Sequence, residues 1–141
     1  MDIIEEKQKR HRRRRNMSRS DKEYLRLMYK DEVITSKIVY CDGLFRKGSG
    51  LMFRSRDAIK DTAWLFRFKR PRTVGVTMWF VLFPIDLIFF DKKNTVIELK
   101  ENLRPFAYYN TKKKIYSFVE LESGMIRRYH LKIGQTMSFR R

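Results

Sequence analysis

One carboxylate lies in the middle of the most apolar stretch of the chain, MWFVLFPIDLIFFD at residues 78–91, which a second, Asp91, ends. The carboxylate in the middle is Asp86, two positions after Pro84. A buried charge costs free energy unless it is paired or hydrogen-bonded, so two roles are open. Asp86 is either a functional carboxylate on a pocket floor, with a shifted pKa, or a structural group that accepts backbone amides where the chain bends after Pro84. We favour the structural role and predict Arg54 as its ion-pair partner.

The other reactive side chains do not combine into a catalytic or metal-binding set. Glu98 and Glu120 lie in alternating segments that do not place them together. His11 falls in a basic arm and His130 in a surface turn, and Cys41 is the only cysteine. These residues are too few for a zinc site, and a lone cysteine is usually an ordinary small apolar residue. We therefore predict no catalytic residue, metal or cofactor, and an enzyme is less expected than a binding protein.

Basic side chains offer the stronger functional signal. The chain has 33 Lys and Arg against 16 Asp and Glu, a net charge of +17. Lys and Arg neutralise phosphates and exposed rings stack on bases, so we predict RNA or another nucleic acid as the partner. An anionic membrane surface is less favoured, and a charge that serves only solubility is the alternative. The candidate nucleic-acid-binding residues are Arg12, Arg13, Arg14, Arg15, Arg67, Lys69, Arg70, Arg72, Lys112, Lys113, Lys114, Arg127 and Arg128.

Composition divides the beginning of the chain into two segments. The segment 1–20 contains KQKRHRRRRNMSR, and its high charge and low apolar content predict a disordered or loosely helical arm. Residues 21–34 predict a helix, because Ser20 and Glu23 match a capping box. No apolar segment follows the basic residues, and no uncharged run reaches the roughly 20 residues of a membrane span. We therefore expect no transmembrane segment and a cytoplasmic protein.

Residues 35–139 predict one β domain. Short aromatic and β-branched segments alternate with turn residues there, a pattern typical of barrels and sandwiches. Pro84 is expected to separate two strands, residues 69–75 to form a basic loop, and MIRRYHLKIG to form one helical turn before a last strand. The predicted fold is mainly β (α+β): a small, partly open β-barrel of six or seven strands, with one N-terminal helix and one short C-terminal helical turn.

Five stretches resemble, in order, the family catalogued as domain of unknown function 192: GLMFRSRD, MWFVLFPIDLIFFD, VIELKENLRPF, YSFVELESG and LKIGQ. The family pattern begins with Gly-Leu-Met-Phe-Arg, continues with an apolar run ending in Pro-Ile/Leu-Asp, and then has an apolar-Glu-Leu-x-x-Gly segment. The form FVLFPID is similar to an archaeal-type variant. The resemblance covers about residues 37–139 and implies a compact, barrel-like, mostly β domain without a known activity. The matching residues are Gly50, Met52, Arg54, Pro84, Asp86, Glu120 and Gly124.

The chain departs from the family pattern at Glu122, where members usually have Pro, and at Gln135, where they usually have Asp. The basic arm lies outside the resemblance. Together these features predict an uncharacterised conserved protein, a non-enzymatic basic β-barrel domain that binds RNA or another nucleic acid through charge. Two alternatives remain open: a protein interaction or assembly module, and a small-ligand binder or enzyme with a pocket at Asp86 and Arg54.

Overall fold

A computed structural model describes residues 3–5, 25–41 and 51–140. Most of the predicted basic arm and the first residues of the predicted helix therefore lie outside the described residues. Residues 3–5 are helical, and the rest of the described chain contains ten strands, a 3-10 turn and a short helix. They are β1 (Arg26–Tyr29), β2 (Glu32–Thr35), β3 (Lys37–Cys41), the 3-10 turn (Arg56–Ala58), β4 (Thr62–Arg72), β5 (Gly75–Thr77), β6 (Ile85–Phe90), β7 (Val96–Leu103), β8 (Tyr108–Asn110), β9 (Ile115–Glu122), α1 (Met125–Arg128) and β10 (Ser138–Arg140).

The helix predicted over residues 21–34 is wrong where the structure describes it, because β1 and β2 form an antiparallel hairpin there. β1 also pairs with β10, which places Leu27 opposite Phe139. Leu27 and Ile34 are 0% and 2% exposed and belong to the same core. The apolar spacing of this segment suits either a helix face or a strand, and the β-branched residues of β2 favour a strand. Pairing with the distant β10 decides the outcome.

A five-stranded sheet with the order β3-β4-β9-β6-β7 forms the centre of the molecule. β3 and β4 are parallel, and the other neighbouring pairs are antiparallel. β6 lies between β9 and β7, and all six of its residues are buried. A strand that is covered on both faces has a continuous apolar sequence, which explains the stretch around Asp86. Two smaller sheets, β10-β1-β2 and β5-β8, flank the central one.

The central sheet separates two apolar cores. Its first face, named face 1, carries side chains such as Leu65 and Ile88 and packs against β1, β2, β10 and α1. The opposite side, named face 2, carries Trp64 and Leu87 and packs against the segment before β4 and against the β5–β8 ribbon. Successive residues of a strand point to opposite faces. The face of each polar residue in the sheet therefore follows from its neighbours.

The predicted fold class is confirmed: the chain is mainly β, with a helical turn at α1 near its end. Pro84 lies between β5 and β6 as predicted. The described strands form three sheets rather than one closed barrel and are more numerous than predicted, because several are only three or four residues long. The basic loop expected at residues 69–75 is wrong for residues 69–72. They extend β4, which pairs with β9 as far as Arg72 opposite Ile115.

Candidate functional site

The two ends of the central sheet carry different side chains. β4 begins and β9 ends at one end, named the loop end, where residues 51–61, 78–84 and 104–107 connect the strands. β4 ends and β9 begins at the other end, named the basic end, beside the turns at residues 91–95 and 111–114. The candidate residues are therefore sorted by which end, and which face, they occupy.

Asp86 is a structural residue on face 1. Its Oδ1 accepts the amide hydrogen of Asn102 at 2.8 Å, and its Oδ2 accepts those of Gly124 at 3.1 Å and Ile126 at 3.0 Å. The side chain is 0% exposed. These bonds agree with the structural interpretation, although the donors come from an irregularity in the β6–β7 pairing and from the start of α1, rather than from the bend after Pro84. The pocket-floor interpretation is wrong, because no part of Asp86 reaches solvent.

The predicted ion pair between Arg54 and Asp86 is also wrong, because the two residues lie on opposite faces of the sheet. Asp86 is directly opposite Leu121, a face 1 residue. Arg54 is exposed, and its guanidinium carbon lies 4.9 Å from the ring centre of Trp64, a face 2 residue. The sheet between them excludes the pocket that the sequence suggested at these two residues.

Glu120 is a second buried carboxylate, and it lies on face 2. It is directly opposite Trp64 on β4 and Leu87 on β6, and is 7% exposed. Burial alone raises the pKa of Glu120 from 4.5 to about 8, and none of the described residues donates a hydrogen bond that would stabilise its charge. At neutral pH most molecules therefore carry a neutral Glu120. Sequence alternation placed this residue in a strand but did not distinguish it from the other acids.

The basic end brings together cations that are distant in the sequence. β4 ends there at Arg72, and the residues that follow it are bonded to the turn at 111–114. The hydroxyl oxygen of Thr111 accepts the amide hydrogen of Val74 at 2.8 Å, and the amide of Thr111 donates to the Val74 carbonyl at 2.9 Å. Seven predicted binding residues meet at this end, and the structure adds Lys92 and Lys93 from the β6–β7 turn. The exposed cations are Arg67, Lys69, Arg70, Arg72, Lys92, Lys93, Lys112, Lys113 and Lys114.

The carboxylate of Glu98 holds the lysine-rich turn in place. Its oxygens accept the backbone amides of Lys112 at 2.9 Å and Lys113 at 3.1 Å, and the hydroxyl of Tyr109 at 2.5 Å. Burial, and secondarily the hydrogen bond and negative charge of Glu98, raise the pKa of Tyr109 to about 12. Glu98 is 7% exposed, so its charge is directed into the turn backbone while the lysine side chains extend outward.

Asp91 has a similar role in the adjacent turn. Its Oδ1 accepts the amide hydrogens of Lys93 at 2.8 Å and Thr95 at 2.9 Å. Asp91 and Glu98 are the acidic residues on the described segments that build the basic end, and both bind backbone amides. The cations of this end are therefore not paired with the carboxylates nearest to them in the sequence.

Two other predicted cations lie elsewhere. Arg127 and Arg128 are exposed on α1, which follows β9 at the loop end, and the guanidinium carbon of Arg128 lies 5.5 Å from the ring centre of Tyr129. The structure does not bring them to the basic end. The remaining candidates lie outside the described residues: Arg12, Arg13, Arg14, Arg15 and, from the family motif, Gly50.

Four aromatic residues at the loop end form an exposed cluster, named the aromatic platform. Phe53, Trp79, Phe80 and Phe106 are 77%, 59%, 44% and 57% exposed. The rings of Phe53 and Phe80 are stacked with centres 4.8 Å apart, and Trp79 meets Phe106 edge-on at 6.3 Å. Sequence reasoning missed this surface, because Trp79 and Phe80 stand in an apolar run that predicts a core, and Phe53 and Phe106 are far from them in the sequence. Only the turns of the folded chain direct their side chains outward.

Within residues 3–5, 25–41 and 51–140, no three His, Cys, Asp or Glu side chains lie close enough together to hold a metal ion. The helices in those ranges include none with the length and apolar character needed to cross a bilayer. Cys41 is half-buried at the end of β3, and His130 is exposed in the turn after α1.

Solved structures share this architecture. A putative transcription regulator from Sinorhizobium meliloti 1021 superimposes with a TM-score of 0.71 and 22% sequence identity, covering 82% of this chain and 91% of that one. A protein of unknown function from Novosphingobium aromaticivorans DSM 12444 gives a TM-score of 0.71 at 17% identity, covering 81% of this chain and 82% of the other. At these identities the likeness shows the fold alone. No curated protein matches the chain.

A family model supplies the remaining comparison. The model of the domain of unknown function 192, described as an uncharacterized ACR, matches residues 27–139. The match begins in β1 and ends in β10, so it includes the central sheet with Asp86 on one face and Glu120 on the other. The archaeal-type form of the Pro-Ile-Asp motif stays a prediction. The extent of the match shows that this chain belongs to the domain of unknown function 192 family.

Proposed function

We propose that this protein is a non-enzymatic module that binds RNA or another nucleic acid through the basic end, assisted by the arginine-rich arm. The observation that carries the proposal is the convergence of nine exposed cations from three separate segments, β4 and the two turns, on one end of the sheet. Cations that neutralise phosphates release condensed counterions, and this release supplies most of the affinity of non-specific nucleic-acid binding. A cytoplasmic location remains a prediction from the sequence.

The arrangement of two arginines supports a phosphate-binding role. The guanidinium carbon of Arg67 lies 5.6 Å from the ring centre of Tyr40 and 5.3 Å from that of Phe139. That of Arg72 lies 5.3 Å from the ring centre of Phe68. A guanidinium that rests on a ring loses less freedom when it binds a phosphate, and it can donate two parallel hydrogen bonds to it. Both side chains are exposed and available for such contacts.

The name of one structural relative agrees with this proposal. The Sinorhizobium meliloti protein is described as a putative transcription regulator, and regulation of transcription commonly involves contact with nucleic acid. The fold does not determine function, so the proposal depends on the surface of this chain. The alternative enzyme hypothesis placed a pocket at Asp86 and Arg54, but Asp86 is fully buried and lies on the opposite face of the sheet from Arg54.

Salt titration of matched variants tests the proposal. Arg70→Gln/Lys113→Gln removes two charges from the basic end, and Lys37→Gln/Lys60→Gln removes two exposed charges from the loop end. Binding of a fluorescent single-stranded RNA of about 16 nucleotides, within the usual range of single-strand sites, is measured by anisotropy at several salt concentrations. Each phosphate contact contributes roughly 0.7 to the slope of log K against log salt, so the first variant should lower the slope by roughly 1.4.

The control variant should retain the slope of the wild-type chain. Equal losses in both variants would assign binding to net charge rather than to the basic end. Affinity that does not depend on salt would contradict the proposal altogether. All proteins are treated with nuclease before the titration, so that bound cellular nucleic acid does not occupy the surface.

Truncation of the arm is a separate test. Residues 1–19 hold eight Lys and Arg against three Asp and Glu, and their deletion should weaken RNA binding further while leaving the thermal melting temperature of the β domain nearly unchanged. If the truncated chain binds RNA as tightly as the full chain at the same salt concentration, the arm has no part in binding.

A further inference from the structure

The aromatic platform is the feature of the molecule that neither the basic end nor the core explains. Large exposed apolar residues grouped in one place mark a binding surface more often than chance exposure does. We propose that the platform stacks unpaired bases, so that the nucleic acid bound by this protein is single-stranded at the loop end. This inference rests on the proposed function and adds to it the class of partner.

The backbone holds the three turns of the platform rigidly together. Phe53 donates its amide hydrogen to the Phe80 carbonyl at 3.0 Å, and Phe106 donates to the Met78 carbonyl at 3.0 Å. Met78 in turn donates to the carbonyl of Ala107 at 2.9 Å. These bonds cross between segments that are distant in the sequence, so the three loop backbones have fixed positions relative to one another.

Three of the four platform residues have an unusual backbone conformation. The φ angles of Phe53, Phe80 and Phe106 are +58°, +58° and +63°, in the left-handed region that bulky L-residues rarely occupy. Such conformations persist where the surrounding structure imposes them, and they concentrate at binding sites. Here each one turns an aromatic side chain outward at the tip of a different loop.

The charge beside the platform favours a polyanion. The loops that carry it, at residues 51–54, 78–83 and 104–107, contain two charged residues, Arg54 and Arg104, and both are exposed. The guanidinium carbon of Arg54 lies over the ring of Trp64, 4.9 Å from its centre. A single strand needs exposed rings for its bases and cations for its backbone. Across the loop-end connections, four exposed cations, Arg54, Arg56, Lys60 and Arg104, outnumber the two exposed carboxylates, Asp57 and Asp61.

Two other partners fit part of this surface. A lipid bilayer or an apolar protein groove would also accept exposed rings, and Leu82, 69% exposed on the same loop as Trp79, would insert into either. Insertion into a bilayer or an apolar groove is stabilised by buried apolar area of any shape, whereas stacking on a base requires ring planes in fixed positions. The hydrogen bonds between the loops hold the backbone in place, and the Phe53–Phe80 and Trp79–Phe106 contacts orient the rings, which favours stacking over insertion.

The platform and the basic end are within reach of one strand. β9, which has eight residues, runs between the two ends and spans roughly 26 Å at the usual rise per residue. Binding sites on small barrel domains accommodate about 4–16 nucleotides. A single strand could therefore contact phosphate-binding residues at one end and stack at the other.

The test compares Trp79→Leu with Leu82→Ala. Trp79 does not have a left-handed backbone and is 59% exposed, so its replacement by leucine keeps an apolar side chain and removes only the ring. Affinity is measured for single-stranded RNA and for a duplex of the same length. Loss of one stacked base weakens binding by about 5- to 150-fold. We expect this loss for single strands with Trp79→Leu, little change for the duplex, and no change for either probe with Leu82→Ala.

A spectroscopic measurement accompanies the affinities. Stacking on a base quenches indole fluorescence, so single-stranded RNA should reduce the emission of the wild-type chain, and Trp79→Leu should abolish that quenching. The other tryptophan, Trp64, is 6% exposed and does not report on stacking. Thermal melting of each variant, equal to that of the wild type, shows that the fold is retained.

The outcomes separate this inference from the proposed function. Failure of both probes to bind at low salt overturns the proposed function and this inference with it. Salt-dependent binding with the same single-strand preference in Trp79→Leu and wild type leaves the proposed function intact and overturns the stacking site. Equal losses in Trp79→Leu and Leu82→Ala, or binding of anionic phospholipid vesicles that Leu82→Ala weakens, would assign the platform to insertion instead and also overturn the inference.

Discussion

Asp86 and Glu120 are buried carboxylates on adjacent strands of one sheet, and their surroundings give them opposite characters. Asp86 on face 1 meets three backbone amides that accommodate its charge. Glu120 on face 2 is opposite Trp64 and Leu87, and burial raises its pKa to about 8. The same chemical group therefore fixes the backbone in one place and stays largely neutral in the other. Burial alone does not reveal a carboxylate's role; its hydrogen-bond donors do.

The difference also relates to the local backbone. Asp86 lies where the pairing of β6 with β7 is irregular and where α1 begins, so amides that lack a backbone partner point toward it. Glu120 lies in the middle of regular pairing with both β4 and β6, where the amides already bond the neighbouring strands. Of these two carboxylates, the one that meets free amides is the one beside the interrupted ladder.

The largest effect that would test this comparison is expected from Asp86→Asn. The asparagine side chain can accept hydrogen bonds only through its Oδ1. Its NH2 group would face a backbone N–H donor where the second carboxylate oxygen of Asp86 now accepts. Hydrogen bonds to a charged group contribute about 1.5–3 kcal/mol each, and an unsatisfied buried donor costs about 1–3 kcal/mol. We expect the free energy of unfolding to fall by about 3–5 kcal/mol, measured by urea denaturation.

Asp57→Asn is the matched control for this substitution. Asp57 is exposed in the 3-10 turn, and its replacement should change the free energy of unfolding by less than about 0.5 kcal/mol, as is usual at surface positions. If Asp86→Asn were as stable as this control, the three amide contacts would not be what retains Asp86 in the core.

A second effect concerns the pH dependence that Glu120 imposes. Since its pKa is about 8 in the folded chain and near 4.5 when exposed, the folded state holds an extra proton between these values. The contribution of Glu120 to stability is therefore greatest below pH 4.5 and falls by up to about 1.4 kcal/mol per pH unit as the pH rises toward 8. Across the whole window this amounts to about 4 kcal/mol at most.

Glu120→Gln should remove this pH dependence, because glutamine does not titrate. The difference in unfolding free energy between wild type and variant, measured at several pH values through this window, isolates Glu120 from the other acids. The variant should gain relative to the wild type as the pH rises. Parallel curves would show that the Glu120 carboxyl is solvated or paired in the folded chain, and the contrast with Asp86 would disappear.

A third and smaller effect is expected at Glu98, which resembles Asp86 because it accepts backbone amides. Glu98→Gln removes the charge that the amides of Lys112 and Lys113 contact and should lower stability by about 1–3 kcal/mol. The pKa of Tyr109 should fall from about 12 part of the way toward 10.0, since burial, the largest cause of its shift, remains. Ultraviolet titration of tyrosinate measures this change, and an unaltered titration would contradict the contact.

The basic end and the aromatic platform differ in how far the sequence foretold them. Charged residues are exposed in almost any fold, so the sequence was enough to predict that the cations at residues 67–72 and 112–114 lie on the surface. It did not predict that the two clusters meet at one end of the sheet. Aromatic residues are ambiguous, because the same residue types fill cores and binding surfaces. Phe89 is 0% exposed and Phe80 is 44% exposed, and nothing in the local sequence around them distinguishes the two.

The N-terminal hairpin shows a second limit of local sequence. Leu27 and Met28 fit a helix face as well as a strand, and the helix prediction failed because β1 pairs with β10, more than a hundred residues later in the chain. In contrast, β6 was predicted correctly because a strand buried on both faces has a uniformly apolar sequence. The secondary structure of a segment can be predicted when it is buried in the same way on both faces, as β6 is. It cannot be predicted when it depends on pairing with one distant strand, as that of β1 does.

The sequence by itself determined the class of the fold, the family and the cationic character, because composition, short-range alternation and motif order are local properties. The tertiary structure alone decided which cations meet, which carboxylate finds amide donors, and which rings face solvent. Each of these depends on strand pairing and on the face of the sheet, and a shift of one residue along a strand moves a side chain to the opposite face.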